Sequence, residues 1–211
     1  MFSTKSIVVS SLVSSVAVCG VAGASIISTS GMATQIVPPA SCLPGALVGP
    51  PAYCWNEQTN VTASALGVNL TSNGVYTGWT PNFGVISGQF DSHFIHFDAL
   101  AGVANVTGTV TFSSNIVGVI YDESLLSATD AMFGAGGTAY PTGNFFRSMS
   151  GNMPGMSTIG VAGNTLSFDL WAMQPGNYLG EIRVFTHSVP TPGSLALLGL
   201  GGLVCARRRG R

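Results

Sequence analysis

The sequence predicts an all-β protein, an antiparallel β-sandwich of jelly-roll type with one short helix, flanked by an N-terminal signal helix and a C-terminal hydrophobic helix. Three observations carry that prediction. Short segments rich in Val, Ile, Thr and aromatic residues recur from about Thr59 to Ser188, divided by Gly, Asn, Pro and Ser. Apolar and polar residues alternate within them, most clearly in VANVTGTVTF, where Val106, Val110 and Phe112 share one face with Gly108 and Thr107, Thr109 and Thr111 share the other. Only ESLLSATDAMFG has helical spacing. With 46% hydrophobic and 7% charged residues over 211 positions, the chain has material for one core of ordinary size and is no self-repelling disordered polymer.

The front end, MFSTKSIVVSSLVSSVAVCGVAGAS, has Lys5, a moderately apolar run from Ile7 to Val21, and Ala22 and Ala24 flanking Gly23. That is the layout of a secretory signal peptide over residues 1–24, cut after Ala24. The serines scattered through the run separate it from a retained anchor, and Val18 before Cys19 is the wrong residue for lipoprotein processing. Residues 25–58 have another texture, small and Pro/Gly-rich, and read as an N-terminal arm. Once Cys19 leaves with the signal and Cys205 with the tail, Cys42 and Cys54 are the body's cysteines. An oxidising compartment favours their pairing across CLPGALVGPPAYC, a closure that would contribute roughly 3 kcal/mol. A zinc site is not expected, since no second pair or nearby histidine completes one.

Residues 59–188 form the sandwich. Its candidate strands are TNVTASALGVNLT, GVISGQF, HFIHFDAL, VANVTGTVTF, NIVGVIYD, NTLSFDLWAM and NYLGEIRVFTH. In the helical piece Leu125, Leu126, Met132 and Phe133 face a core and Gly134 stops the turn. No repeat of solenoid or propeller length is present.

Charge is segregated. Apart from Lys5 and the terminal arginines, Arg147 and Arg183 are the only Lys or Arg residues, against eight acids, so the interior carries −6. That sign repels phosphate backbones and argues against nucleic-acid binding. His93 and His96 form H-x-x-H, but in a strand a spacing of three sends them to opposite faces, His93 inward with Ile95 and Phe97 and His96 with Phe94 and Asp98. They do not share a metal. Asp122, Glu123 and Asp130 flank the helix and are candidates for calcium, though they lack the spacing of a calcium loop and serve equally as caps. No other cofactor is expected. Nothing fixes the separation of a glycosidase carboxylate pair, and no nucleophile elbow, zincin helix or phosphate-binding loop occurs. Thr107, Thr109 and Thr111 form a row on an outer face, where such residues are good strand formers and could order water. Among Trp55, Trp79 and Trp171, Trp79 lies in a turn-like TGWTPN and Trp171 alternates with Asp169, making these two the candidates for stacking on sugar rings.

The chain closes on VPTPGSLALLGLGGLVCARRRGR, residues 189–211. The uncharged run from Ser194 to Ala206 would extend about 20 Å as a helix against roughly 30 Å of bilayer hydrocarbon. It inserts only weakly, and Arg207, Arg208, Arg209 and Arg211 behind it hold that end on the cytoplasmic side, placing Val189, Pro190, Thr191 and Pro192 at the outer face. This tail resembles the PEP-CTERM sorting signal of exopolysaccharide-making bacteria, a Val-Pro-Glu-Pro motif, a Leu/Gly-rich helix and an arginine cluster, with Thr191 in place of the glutamate. The resemblance implies recognition by an exosortase, a membrane transpeptidase that cuts near the Pro-x-Pro motif after transient membrane insertion of the tail. SHFIHFDAL, the segment from Val106 to Gly143 and NTLSFDLWAMQPGNYLGEIRVFT are similar to the bodies of exported PEP-CTERM proteins, which are understood as β-sandwiches. The expected function is that of a non-enzymatic protein of the cell-envelope surface or extracellular matrix, associated with exopolysaccharide. The alternatives are a lectin-like carbohydrate-binding module, with or without calcium, and, more distantly, a secreted glycan hydrolase.

Overall fold

In the computed structural model, residues 23–77, 83–149, 157–174 and 178–188 are described. They belong to one unit, Gly23–Pro190. The signal helix, the tail helix, Trp79, Ala22, the 189–192 motif and the terminal arginines lie outside the described residues. Among the described residues no helix is long and apolar enough to cross a membrane.

Alternating sequences become strands as expected. In chain order these are β1 (Ile26–Gly31), β2 (Ala33–Gln35), β3 (Ala52–Asn56), β4 (Val61–Val68), β5 (Gly74–Thr77), β6 (Gly84–Asp98), β7 (Gly102–Phe112) and β8 (Ile116–Ile120). The helix α1 (Glu123–Phe133) follows, then β9 (Thr158–Ala162), β10 (Thr165–Gln174) and β11 (Leu179–His187). One sheet has the order β1-β7-β10-β9-β5, and the other β2-β3-β6-β11-β8 with β4 added against the first half of β6. All these strand pairs are antiparallel except β2 with β3. The protein is an all-β sandwich with a single helix among the described residues.

The alternation decides what each face buries. Val106, Val110 and Phe112 of β7 and Leu166, Phe168 and Leu170 of β10 meet Ile95, Phe97, Ile182 and Val184 of β6 and β11 between the sheets. Fully burying such side chains stabilises by about 1.5–3 kcal/mol each. The threonine row lies on the outer side of the first sheet. There Ser30 and Thr109 share a 2.6 Å hydrogen bond and Thr111 and Thr165 one of 3.2 Å.

Residues 25–58 are not a separate arm: β1 joins the first sheet, and β2 and β3 join the second. The crossing occurs at Gly31, whose φ of +66° favours glycine and where a Cβ would come within 2.8 Å of the Thr107 carbonyl oxygen. GVISGQF and HFIHFDAL are one continuous strand, β6. The helix begins and ends as its sequence dictates. Asp122 is the N-cap, accepting from the Ser124 amide at 3.0 Å, and Gly134 closes the last turn by donating to the Asp130 carbonyl. Leu126 and Phe133 are buried beneath it, whereas Met132 is exposed.

Helix α1 and the loop residues Ile36, Cys42, Leu47, Ala135 and Tyr140 cover the outer side of the second sheet, forming a second core with Trp55, Phe90, Phe94 and Phe185. The predicted disulfide does not form: both thiols are free. Cys54 alternates with Tyr53 and Trp55 on β3 and enters the inter-sheet core, whereas Cys42 lies in the second core on the opposite side of the sheet. Burial pushes the Cys54 thiol up to about 12.

Candidate functional site

The second core contains a charged network. Strands β6 and β11 pair in a register that sets Phe94 opposite Arg183 and His96 opposite Glu181, with Trp55 and Tyr53 of β3 flanking Phe94 and His96. Alternation therefore sends Arg183, Glu181 and His96 outward from the sandwich and under α1 and its loops. Arg147, Arg183, Glu181 and His96 are each 0% exposed.

Arg183 uses all five of its guanidinium donors. Nε and one Nη2 hydrogen bond Glu57 at 2.7 and 2.9 Å, the other Nη2 bond reaches Asp130 at 3.0 Å, and Nη1 donates to the Leu126 carbonyl and the Thr129 hydroxyl at 3.2 and 2.7 Å. Its carbon centre lies 5.0 Å from the Phe94 ring centroid and 5.4 Å from that of Tyr140. Arg147 donates to Glu181 at 2.6 Å and to both oxygens of Asp130 at 2.5 and 3.3 Å. Asp130 thus bridges the two arginines from α1. Tyr140 donates to Glu57 at 2.6 Å and accepts from the Trp55 indole at 3.3 Å.

Burial and pairing oppose each other here, and pairing wins. Burial alone would raise the Glu181 carboxyl, but the Arg147 guanidinium and the His96 hydrogen bond hold it below the usual range. Burial likewise works against the charges of Arg147 and Arg183. Glu181 and Asp130 around the first, and Glu57 and Asp130 around the second, nevertheless raise both. Burial, then Glu57, push the Tyr140 hydroxyl up, so it remains a donor.

His96 Nδ1 faces Glu181 Oε1 at 2.9 Å and Nε2 faces the Leu47 carbonyl at 3.2 Å. Both ring nitrogens thus face an acceptor. Two arginines, Arg147 and Arg183, share three carboxylates, Glu57, Asp130 and Glu181. Cys42 Sγ lies beside them, donating to the Ala139 carbonyl at 3.5 Å. Its sulfur, a His96 ring nitrogen and a Glu181 oxygen all lie within 4.8 Å of one another. Burial, then Glu181, push the Cys42 thiol up.

The sequence-predicted residues distribute differently. His93 and His96 do occupy opposite faces: His93 stacks 4.6 Å from the Phe112 ring and bonds Asn56 and Thr186 at 2.8 and 3.1 Å. Burial lowers its pKa to about 3. The calcium candidates do not converge, because Asp122 caps α1, Glu123 accepts from Ser127 and Asp130 is held by two arginines. Trp171 is half-buried on the outer side of the first sheet, opposite Asn105, and Asn105 donates to the neighbouring Asp169 at 3.2 Å. Ala24 is buried, its amide donating to Asp91. The fold brings His96 and Glu181 beside Cys42, a grouping that no spacing in the sequence marks. Its sequence signal is the pair Glu181 and Arg183 inside the otherwise apolar LGEIRVF. No protein-family model, curated protein or solved structure matches the chain.

Proposed function

We propose that the chain is an exported, exosortase-sorted protein of the cell surface or extracellular matrix, with a non-enzymatic sandwich body that associates with exopolysaccharide. One observation supports the body's structural role: each of its eight carboxylates is engaged in holding the fold. Glu57, Asp130 and Glu181 bind the arginines, Asp91 and Asp98 accept from backbone amides, Asp122 caps α1, and Glu123 and Asp169 accept from Ser127 and Asn105. A carboxyl held low by arginine, as at Glu181, suits a permanent ion pair and not a general acid, whose pKa must rise. The sorting half of the reading rests on the tail sequence.

The test is fractionation of cells expressing the full chain or a chain lacking residues 189–211. Surface or matrix recovery of a form without the terminal arginines, lost on truncation, is the expected result. Equal surface recovery of both chains refutes the sorting role.

A lectin-like reading is favoured by one feature. On the outer side of the first sheet Trp171 shares a polar surface with Asn105, Asp169 and the serine and threonine rows. Co-sedimentation with the producer's polysaccharide, weakened by Trp171→Ala, would support it.

A further inference from the structure

We propose that Cys42, His96 and Glu181 form a binding site for one thiophilic divalent cation, zinc being the first choice. Thiolate, imidazole and carboxylate are the donor set of zinc, and tetrahedral coordination separates its ligand atoms by about 3.3–3.6 Å. The three atoms here already lie within 4.8 Å of one another, so small side-chain shifts bring them to coordination spacing, the His96–Glu181 pair opening slightly from 2.9 Å.

The surroundings orient the ligands. His96 Nε2 points at the Leu47 carbonyl, which leaves Nδ1 as the ligand atom. Arg147 holds Glu181 through Oε2, leaving Oε1 as the ligand atom. A histidine that donates its other N–H to a carbonyl and a carboxylate fixed from behind are the usual support for a metal.

Charge points the same way. Arg147 and Arg183 face Glu57, Asp130 and Glu181, which leaves one carboxylate charge unmatched by arginine in a closed space. A Cys42 thiolate makes two, and a divalent cation returns the sum to zero. Binding forms metal–sulfur, metal–nitrogen and metal–oxygen bonds and releases the thiol proton to solvent, together with any proton on Nδ1. Cys42 lies on a loop bonded to Ala139, while the other ligands lie on paired strands. The site closes only when that loop docks, so metal binding adds directly to folding stability.

The test uses the full chain with Cys19→Ser and Cys205→Ser, stripped with chelator under reducing conditions and titrated with cobalt(II). The expected result is about one ion per chain, with near-ultraviolet thiolate charge transfer and the visible bands of tetrahedral cobalt, displaced by zinc. Cys42→Ser abolishes the charge-transfer band. Both Cys42→Ser and His96→Gln weaken binding by more than the roughly 10–100-fold that loss of an orienting partner costs. Cys54→Ser, on the other side of the sheet, leaves the spectrum unchanged. Zinc should raise the melting temperature of the parent chain but not of Cys42→Ser, a comparison made after circular dichroism shows both folded in chelator. No cobalt spectrum in the parent chain, or the same spectrum in Cys42→Ser, overturns the proposal.

Discussion

Strands β6 and β11 present two faces of opposite chemistry. Toward the other sheet they offer Ile95, Phe97, Ile182 and Val184; toward α1 they offer Phe94, His96, Glu181 and Arg183. Both faces are closed to solvent, so burial alone does not distinguish them. An apolar face loses stability in proportion to what is removed, because no group is left with an unmet demand. The charged face behaves as one unit, since deleting any member leaves its partners desolvated and unpaired.

The comparison is broken most severely by Arg183→Met, which leaves Glu57 without a cation and removes one of the two arginines that hold Asp130. Chemical denaturation should show a loss of about 3–5 kcal/mol, partly recovered by adding Glu57→Gln. A single-methyl deletion one residue away, Ile182→Val, should cost only about 0.5–1.5 kcal/mol. Similar losses from the two would refute the distinction.

His93 is the polar exception on the apolar face, and it sharpens the contrast through pH. Its folded pKa, about 3, lies below the ordinary 6.5, so between these values the unfolded chain binds a proton that the folded chain refuses. Stability is thus lost as pH falls through that window, at about 1.4 kcal/mol per pH unit. Unfolding free energies measured by chemical denaturation from pH 6 to pH 4 should fall about 2–3 kcal/mol further for the parent than for His93→Gln. Parallel pH profiles would remove the protonation argument. The smallest expected effect has the opposite sign. Tyr121 is buried between the sheets with no hydrogen-bond partner for its hydroxyl among the described residues, so Tyr121→Phe should raise stability by up to about 1 kcal/mol in the same assay.

What the sequence disclosed follows from how local each signal is. Helix α1 was legible to the residue at its start because its cap, Asp122, is adjacent in the chain, and the opposite facing of His93 and His96 follows from strand geometry alone. Strands β1 to β3 were hidden by glycine and proline, and β5 and β9 by their length of four or five residues. The disulfide expectation failed because closeness in sequence says nothing about which side of a sheet a side chain enters. The charged network was illegible for a related reason. Glu57, His96, Asp130, Arg147 and Arg183 are brought together by the register of three strands and the docking of a helix, and no spacing encodes that meeting.

The crossing at Gly31 has a mechanical consequence. Strand β1 is zipped to β7 in one layer and β2 to β3 in the other, with a single residue between them. Tension drawn through the front of the chain is therefore resisted by shear in both layers in series, and the two sheets cannot be peeled apart from that end without first unstitching the seam that joins them.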